Sequence, residues 1–170
     1  MFFHGHAAAH QRPNMHERSK LTEARHFLER MRAETGNPST FTRELSAFMA
    51  AARSVLQYAL KEAKLKTGGQ QWYDQAAAHP LFRFFKDQRD VNIHRKPVDL
   101  TRKWTAESAS LLNIGHDDDE FLIPYPHTRT VEHYEFQDWP GEDVIDLSLR
   151  YCDLLDALVE DGVAKGWITG

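Results

Sequence analysis

The stretch FTRELSAFMAAARSVLQYALKEA, residues 41–63, decides the fold of this chain. Its apolar residues recur every three or four positions and form one continuous stripe along a predicted helix: Phe41, Leu45, Phe48, Met49, Ala52, Val55, Leu56, Ala59, Leu60 and Ala63. Lys64 and Lys66 follow in the last turn before Gly68-Gly69, where the helix dipole favours positive charge. A helix of this length followed by a short turn predicts an antiparallel neighbour.

A second amphipathic helix is predicted upstream, over residues 16–35. Its apolar residues are spaced by three and four positions, with charged residues between them: Leu21, Ala24, Leu28 and Met31. Between the two helices, Asn37 is a suitable cap, and Pro38 suits the first helical position. The two helices are therefore predicted to be separate.

The predicted antiparallel neighbour begins near Gln70 and is interrupted at His79-Pro80. Pro80 either breaks this helix or begins a new one, and both readings leave residues 81–95 helical until Pro97 ends the helix. The last helix enters at Trp139-Pro140, closes at Lys165-Gly166 and packs an apolar series inward: Val144, Leu147, Tyr151, Leu154, Leu155 and Leu158.

The region between these helices is less regular. Residues 98–115 fit either a loop or a short helix. Residues 121–125 and 130–136 are rich in aromatic and β-branched side chains, which predicts a small irregular hairpin inserted ahead of the last helix. The acidic run at residues 116–120, HDDDE, is more typical of a solvated turn than of a cation site, because it lacks the spacing of a known calcium loop.

These elements predict an all-α fold, an antiparallel helical bundle. With 170 residues and 41% hydrophobic content, the chain suits a single domain, predicted over residues 16–170 after a flexible N-terminal arm at residues 1–15. His4, His6 and His10 in that arm are more typical of a solvated tail than of a transition-metal site.

Neither a signal peptide nor a membrane span is expected. The N-terminus has no basic segment followed by an apolar core, and no apolar run approaches the roughly 20 residues that cross a bilayer. The single Cys152 excludes an internal disulfide framework and a multi-cysteine zinc site. We therefore expect a cytoplasmic protein.

Positive charge is concentrated in the middle of the chain. Residues 83–103 carry 7 Lys and Arg against 3 Asp and Glu, whereas residues 104–170 carry 3 against 15. The net charge of −4 argues against a general nucleic-acid coat. The basic segment is nevertheless the best place for an anion, and the acidic C-terminal third would confine the anion to it.

The basic segment begins within LFRFFKDQRDVNIHRK, residues 81–96. A helical repeat of about 100° per residue puts Arg89 and Asn92 on the aromatic face, with Asp90 and His94 on the far side. A buried Arg costs several kcal/mol unless it is paired, so Arg89 is either a core residue paired to a carboxylate, for example from the last helix, or a functional residue.

The functional interpretation uses Arg89 to hold a phosphate and His94 to move a proton near neutral pH, which needs no metal. On one regular helix the two residues diverge by about 140°. Two geometries would bring such groups together: the helix loosens before Pro97, or two copies of the stretch face each other across a two-fold axis.

A helical bundle that carries Arg89-Asp90-Val91-Asn92-Ile93-His94 resembles the HEPN domain (higher eukaryotes and prokaryotes nucleotide-binding). The resemblance implies a dimer that brings two such motifs together, and many family members are metal-independent endoribonucleases of toxin or antiviral systems. It implies that Arg89 and His94 are catalytic and that Asp90 orients them. Asn92, Arg95 and Lys96 are predicted to bind the substrate.

The leading hypothesis is therefore an endoribonuclease that acts on single-stranded RNA as a homodimer, with no metal and no cofactor. The alternative is a non-catalytic helical module that dimerises, binds a nucleotide or docks a partner such as a protein antitoxin. Fold resemblance does not separate the two, because function resides in the site and not in the bundle.

Overall fold

The structure is a computed structural model that describes residues 16–94, 96–109, 112–114, 121–123 and 127–170. At residue 94 and at residues 106–109, 112–114, 121–123 and 127–130 it describes the backbone alone. The predicted N-terminal arm, Arg95 and the acidic run at 116–120 lie outside the described residues. The described elements are α1 (His16–Ala33), α2 (Pro38–Ala63), α3 (Gly69–Ala76), α4 (Pro80–His94), β1 (Leu100–Ala109), β2 (Leu112–Ile114), β3 (Phe121–Ile123), β4 (His127–Phe136) and α5 (Val144–Ala164).

Helix α2 lies at the centre and contacts the four other helices. The predicted cap is present, since the Thr40 backbone N–H donates to Asn37 Oδ1 over 3.3 Å and Pro38 is the first helical residue. The predicted apolar stripe is buried apart from Leu60, which is partly buried. The long amphipathic helix predicted from the sequence is therefore confirmed.

The turn that follows α2 is tight. Gly68 adopts a left-handed φ of 86°, and a Cβ on Gly69 would lie 2.0 Å from the carbonyl oxygen of Ala63. Only glycine allows so close an approach of two backbones. Helix α3 then ends at Ala76, and Pro80 is the first residue of α4, so the reading of Pro80 as the start of a fresh helix is confirmed.

Two antiparallel strand pairs separate α4 from α5. Strand β1 pairs with β4 from Leu100 opposite Phe136 to Ala109 opposite His127, and the short strands β2 and β3 pair with each other. The described part of the chain is thus mostly helical, in line with the predicted helical fold, and it carries small antiparallel strand pairs ahead of α5, where one small hairpin was predicted.

The two segments predicted to pair as a hairpin contain β3 and β4. These strands do not pair with each other, because β3 pairs with β2 and β4 pairs with β1. Residues 98–115, left open between loop and short helix, contain β1 and β2. The pairing was missed because β1 reads LTRKWTAESA, which lacks the regular apolar alternation of a half-buried strand. Tyr134 holds the sheet against the helices, since its ring stacks on Phe41 at 4.1 Å and its hydroxyl donates to the Thr35 carbonyl over 2.9 Å.

Helix α5 begins at Val144, later than the predicted entry at Trp139-Pro140. Gly141 has a φ of 89°, which a right-handed helix does not accommodate. Asp143 is the cap instead, and its Oδ1 accepts from the Ile145 backbone N–H over 2.9 Å. The predicted close at Lys165-Gly166 is confirmed, because Ala164 is the last helical residue and Gly166 is left-handed.

The helices share one core, in which aromatic rings join α2, α4 and α5. Phe85 stacks on Tyr151 with ring centroids 4.3 Å apart, and Phe48 packs edge-on against both rings. Leu56 and Leu147 belong to the same cluster, as predicted, and Leu154 packs against its edge. None of the helices in the described ranges combines the length and the apolar character needed to span a bilayer.

Candidate functional site

Helix α4 carries the predicted motif and lies antiparallel to α2. Near its C-terminal end, the Asn92 side-chain amide donates to Ser46 Oγ over 2.6 Å, and near its start Phe82 lines a groove with Leu56 of α2. The predicted packing face is confirmed by burial of Leu81, Phe82, Phe85 and Gln88. The motif is thus held on a helix that is packed along one side.

Arg89 is the cation closest to this packed face. Its side chain is 25% exposed, and its Nη1 donates to Asp90 Oδ1 over 3.2 Å. Its Nε is buried and has no hydrogen-bond partner among the described residues. The carboxylate that pairs with Arg89 is therefore its neighbour on α4 and not one from α5, and part of the guanidinium's donor capacity is unused.

Asp90 lies among positive charges. Partial desolvation raises its pKa, but the hydrogen bond from Arg89 and the charges of Lys86, Arg89 and Arg53 outweigh that effect, so the pKa of Asp90 is lowered. The Lys86 Nζ lies 3.6 Å from Asp90 Oδ2, one helical turn away. Asp90 is thus held ionised, and it fixes the guanidinium of Arg89 from the solvent side.

This arrangement predicts the titration of Asp90. In the Arg89→Met variant we expect the pKa of Asp90 to rise towards its ordinary value of about 3.9, because the hydrogen bond and the nearest charge are lost. Carboxyl-detected NMR over an acid titration measures this shift. Folding lowers the pKa of Asp90. The contact with Arg89 therefore stabilises the fold at pH values above the ordinary pKa of an Asp, and this stabilisation is lost as the pH falls through the lowered pKa of the folded protein. An unchanged titration midpoint in the variant would contradict the assignment.

The other predicted site residues are not all gathered at Arg89. The side chain of Asn92 is engaged with Ser46, and exposed Lys96 forms an ion pair with Asp99 ahead of β1. His94 is the last residue of α4; its side chain, like the whole of Arg95, is outside the described part of the structure. The structure therefore brings Arg89 and Asp90 together, while Asn92 and Lys96 face other partners.

The helical backbone continues from Arg89 to His94, the last residue of α4. The Lys96 backbone N–H donates to the Val91 carbonyl over 3.2 Å, a bond that spans five residues instead of four. Positions 89 and 94 are thus separated by about 140° around the axis of one α4 helix.

The acidic C-terminal helix does not neutralise this region. Two of its carboxylates pair with α1, where Arg18 lies 2.7 Å from Glu160 and Arg25 lies 2.9 Å from Asp156, and Asp161 pairs with Lys165 at 2.9 Å. Sequence reasoning missed Arg53, whose charge acts on Asp90 from α2. The signal was an Arg one position after Ala52 of the α2 stripe, but nothing in the sequence placed it opposite α4.

No protein-family model, no curated protein and no solved structure matches this chain. The site therefore rests on its own geometry and chemistry.

Proposed function

We propose that this protein is a metal-independent endoribonuclease of the HEPN type, with an HEPN-like bundle, that cleaves single-stranded RNA. The observation that carries the proposal is Arg89: a guanidinium held by a packed helix, with Asp90 as its ion-pair partner and with a buried Nε that no described residue bonds. Such a group is suited to hold a phosphate in a fixed, bidentate geometry.

The reaction that we propose is an internal transfer at phosphorus. The ribose 2′-hydroxyl oxygen attacks the adjacent phosphorus and gives its proton to a base, while the bond from phosphorus to the 5′-oxygen breaks and that oxygen takes up a proton. His94 acts as general base or general acid, and Arg89 stabilises the charge that gathers on the phosphoryl oxygens. The products carry a 2′,3′-cyclic phosphate and a 5′-hydroxyl.

A homodimer through α4 completes this site in the proposal. Because α4 is regular from Arg89 to His94, one helix directs the two positions apart, whereas a second copy across a two-fold axis would supply the missing group. The exposed face of α4 offers an apolar contact for that copy, since Ile93 is 48% exposed.

We expect light scattering to give a mass of twice 19.7 kDa at micromolar concentration. Ile93→Asp should yield a monomer with little RNA cleavage, because it places a charge in the proposed contact. Leu65→Asp is the matched control, since Leu65 is 83% exposed and lies beyond the end of α2. A monomeric wild type, or equal effects of the two variants, would remove the composite site.

The proposed activity is tested by incubating purified protein with single-stranded RNA and with DNA of the same sequence, both in excess chelator. We expect the RNA to be cut and the DNA to remain intact, because DNA lacks the attacking 2′-hydroxyl. Binding of RNA without cleavage would reject the enzyme and favour the alternative below.

The alternative is a non-catalytic module that docks a partner such as a protein antitoxin. The first half of β1 favours this alternative, because Trp104 is 61% exposed and its ring centroid lies 5.2 Å from the Arg102 guanidinium. A two-stranded pair also has outer edges, to which an extended segment of a partner can add a strand. Loss of partner binding in Trp104→Ala, with no RNA cleavage by wild type, would support this alternative.

A further inference from the structure

A groove lies between α2, α3 and α4, close to Arg89 and Asp90 but separate from them. Its volume is about 330 Å³, which is within the range of small-molecule sites. Three cations line it, Arg53 from α2 with Arg83 and Lys86 from α4, and Tyr73 of α3 lies among them. The groove is thus a basic cavity built by three helices.

The charges of Arg53 and Arg83 are not neutralised by a described carboxylate. Among the described residues, no carboxylate lies within ion-pair distance of Arg53 or Arg83, and the nearest carboxylate oxygens to Lys86 are at 3.6 and 3.9 Å. The one carboxylate in the lining, Asp74, accepts a hydrogen bond from Gln70 over 2.7 Å. The groove therefore has a net positive lining that protein carboxylates leave largely unneutralised.

The other side of the groove is apolar. Leu60 is partly exposed on this side, and Leu56, Phe82 and Tyr73 line it with exposed fractions of 1, 4 and 8%. Burial raises the pKa of Tyr73, and the charge of Arg53 and a hydrogen bond with its side chain oppose that shift. A ligand that fits both sides carries an anionic group and a flat apolar group.

Charge links this groove to the motif. Lys86 lines the groove and approaches Asp90, and the charge of Arg53, which also lines the groove, acts on Asp90 as well. Lys86 and Arg83 precede Arg89 on α4 by about 4.5 and 9 Å along the helix axis.

We propose that this groove binds one phosphorylated nucleoside, namely a nucleotide of the RNA strand next to the scissile phosphate. The base packs against the apolar side at Leu60, and the phosphate contacts Arg53 and Arg83. The inference rests on the proposed function only in taking the bound nucleotide to be part of an RNA substrate. Binding of a free mononucleotide in the groove requires no cleavage.

The test is calorimetric titration of the full chain with uridine 5′-monophosphate, adenosine 5′-monophosphate and inorganic phosphate. We expect both nucleotides to bind more tightly than phosphate, and Arg83→Ala to weaken nucleotide binding about tenfold. Arg83 is exposed, so this variant should fold normally. Arg43→Ala is the matched control, because it removes the same charge from a 70% exposed position on α2 outside the groove.

Several outcomes would overturn the inference. Equal affinity for phosphate and nucleotides would leave no role for the apolar wall, and equal losses in the Arg83 and Arg43 variants would indicate non-specific attraction. Absence of nucleotide binding would also reject it.

The two proposals fail in different ways, because mononucleotides contain no scissile bond between residues. Nucleotide binding lost in Arg83→Ala, without RNA cleavage by wild type, would keep the groove and reject the nuclease. RNA cleavage with an unchanged KM in Arg83→Ala would keep the nuclease and reject the groove.

Discussion

His94→Ala is expected to lower the rate of RNA cleavage by a factor of about 10² to 10⁴, close to complete loss in an ordinary assay, because it removes the proposed proton-transfer group. The fold should remain intact, since the helical repeat puts position 94 opposite the packed Phe85. Initial rates on a labelled single-stranded RNA in chelator measure the effect. His26→Ala is the matched control, because His26 is an exposed histidine of α1.

Arg89→Lys belongs to the same experiment and should also be severely impaired. An ammonium keeps the charge but does not reproduce bidentate contact with phosphate oxygens. Arg43→Lys is the corresponding control and should match wild type. Equal activity in wild type, His94→Ala and Arg89→Lys would point to a contaminating nuclease and would contradict the assignment of the site.

Phe85→Ala is expected to lower the free energy of unfolding by about 3 to 5 kcal/mol. Phe85 is 1% exposed, stacks on Tyr151 and packs edge-on against Phe48 and Phe136, so truncation leaves a cavity where α2, α4 and α5 meet. Urea unfolding followed by circular dichroism measures the loss.

The control for this change is Leu65→Ala, at 83% exposure beyond the end of α2 and outside the proposed dimer contact. A surface substitution of this kind should stay within about 0.5 kcal/mol of wild type. A loss below about 1 kcal/mol for Phe85→Ala would contradict the central position given to α4.

The helices could be predicted because their signals are local. The stripe of α2 repeats over six turns, and Asn37-Pro38 marks its start by side-chain chemistry that needs no distant partner. The packed face of α4 followed from its own spacing, and so did the placement of Arg89 on that face, where its side chain is 25% exposed. Such features depend on residues a few positions apart.

The sheet and the surroundings of the site could not be predicted in this way. Strand β1 pairs with a segment that begins 18 residues after β1 ends, and its charged sequence has no period to indicate the pairing. Arg53 and Tyr73 meet the α4 cations only through tertiary packing. The start of α5 was misplaced because the left-handed backbone of Gly141 is not visible in a Trp-Pro-Gly sequence that also suits a helix start.

Cleavage by a 2′-hydroxyl at the α4 motif is the central claim, and one substrate tests it most directly. After the cut position in an RNA has been mapped with wild-type protein in chelator, the same RNA is made with a single 2′-deoxy nucleotide on the 5′ side of that bond. The account predicts that cleavage at this bond stops, that other bonds are cut as before, and that the products of the all-ribose RNA end in a 2′,3′-cyclic phosphate. Undiminished cleavage at the deoxy-substituted bond would contradict it, because no attacking hydroxyl would be present there.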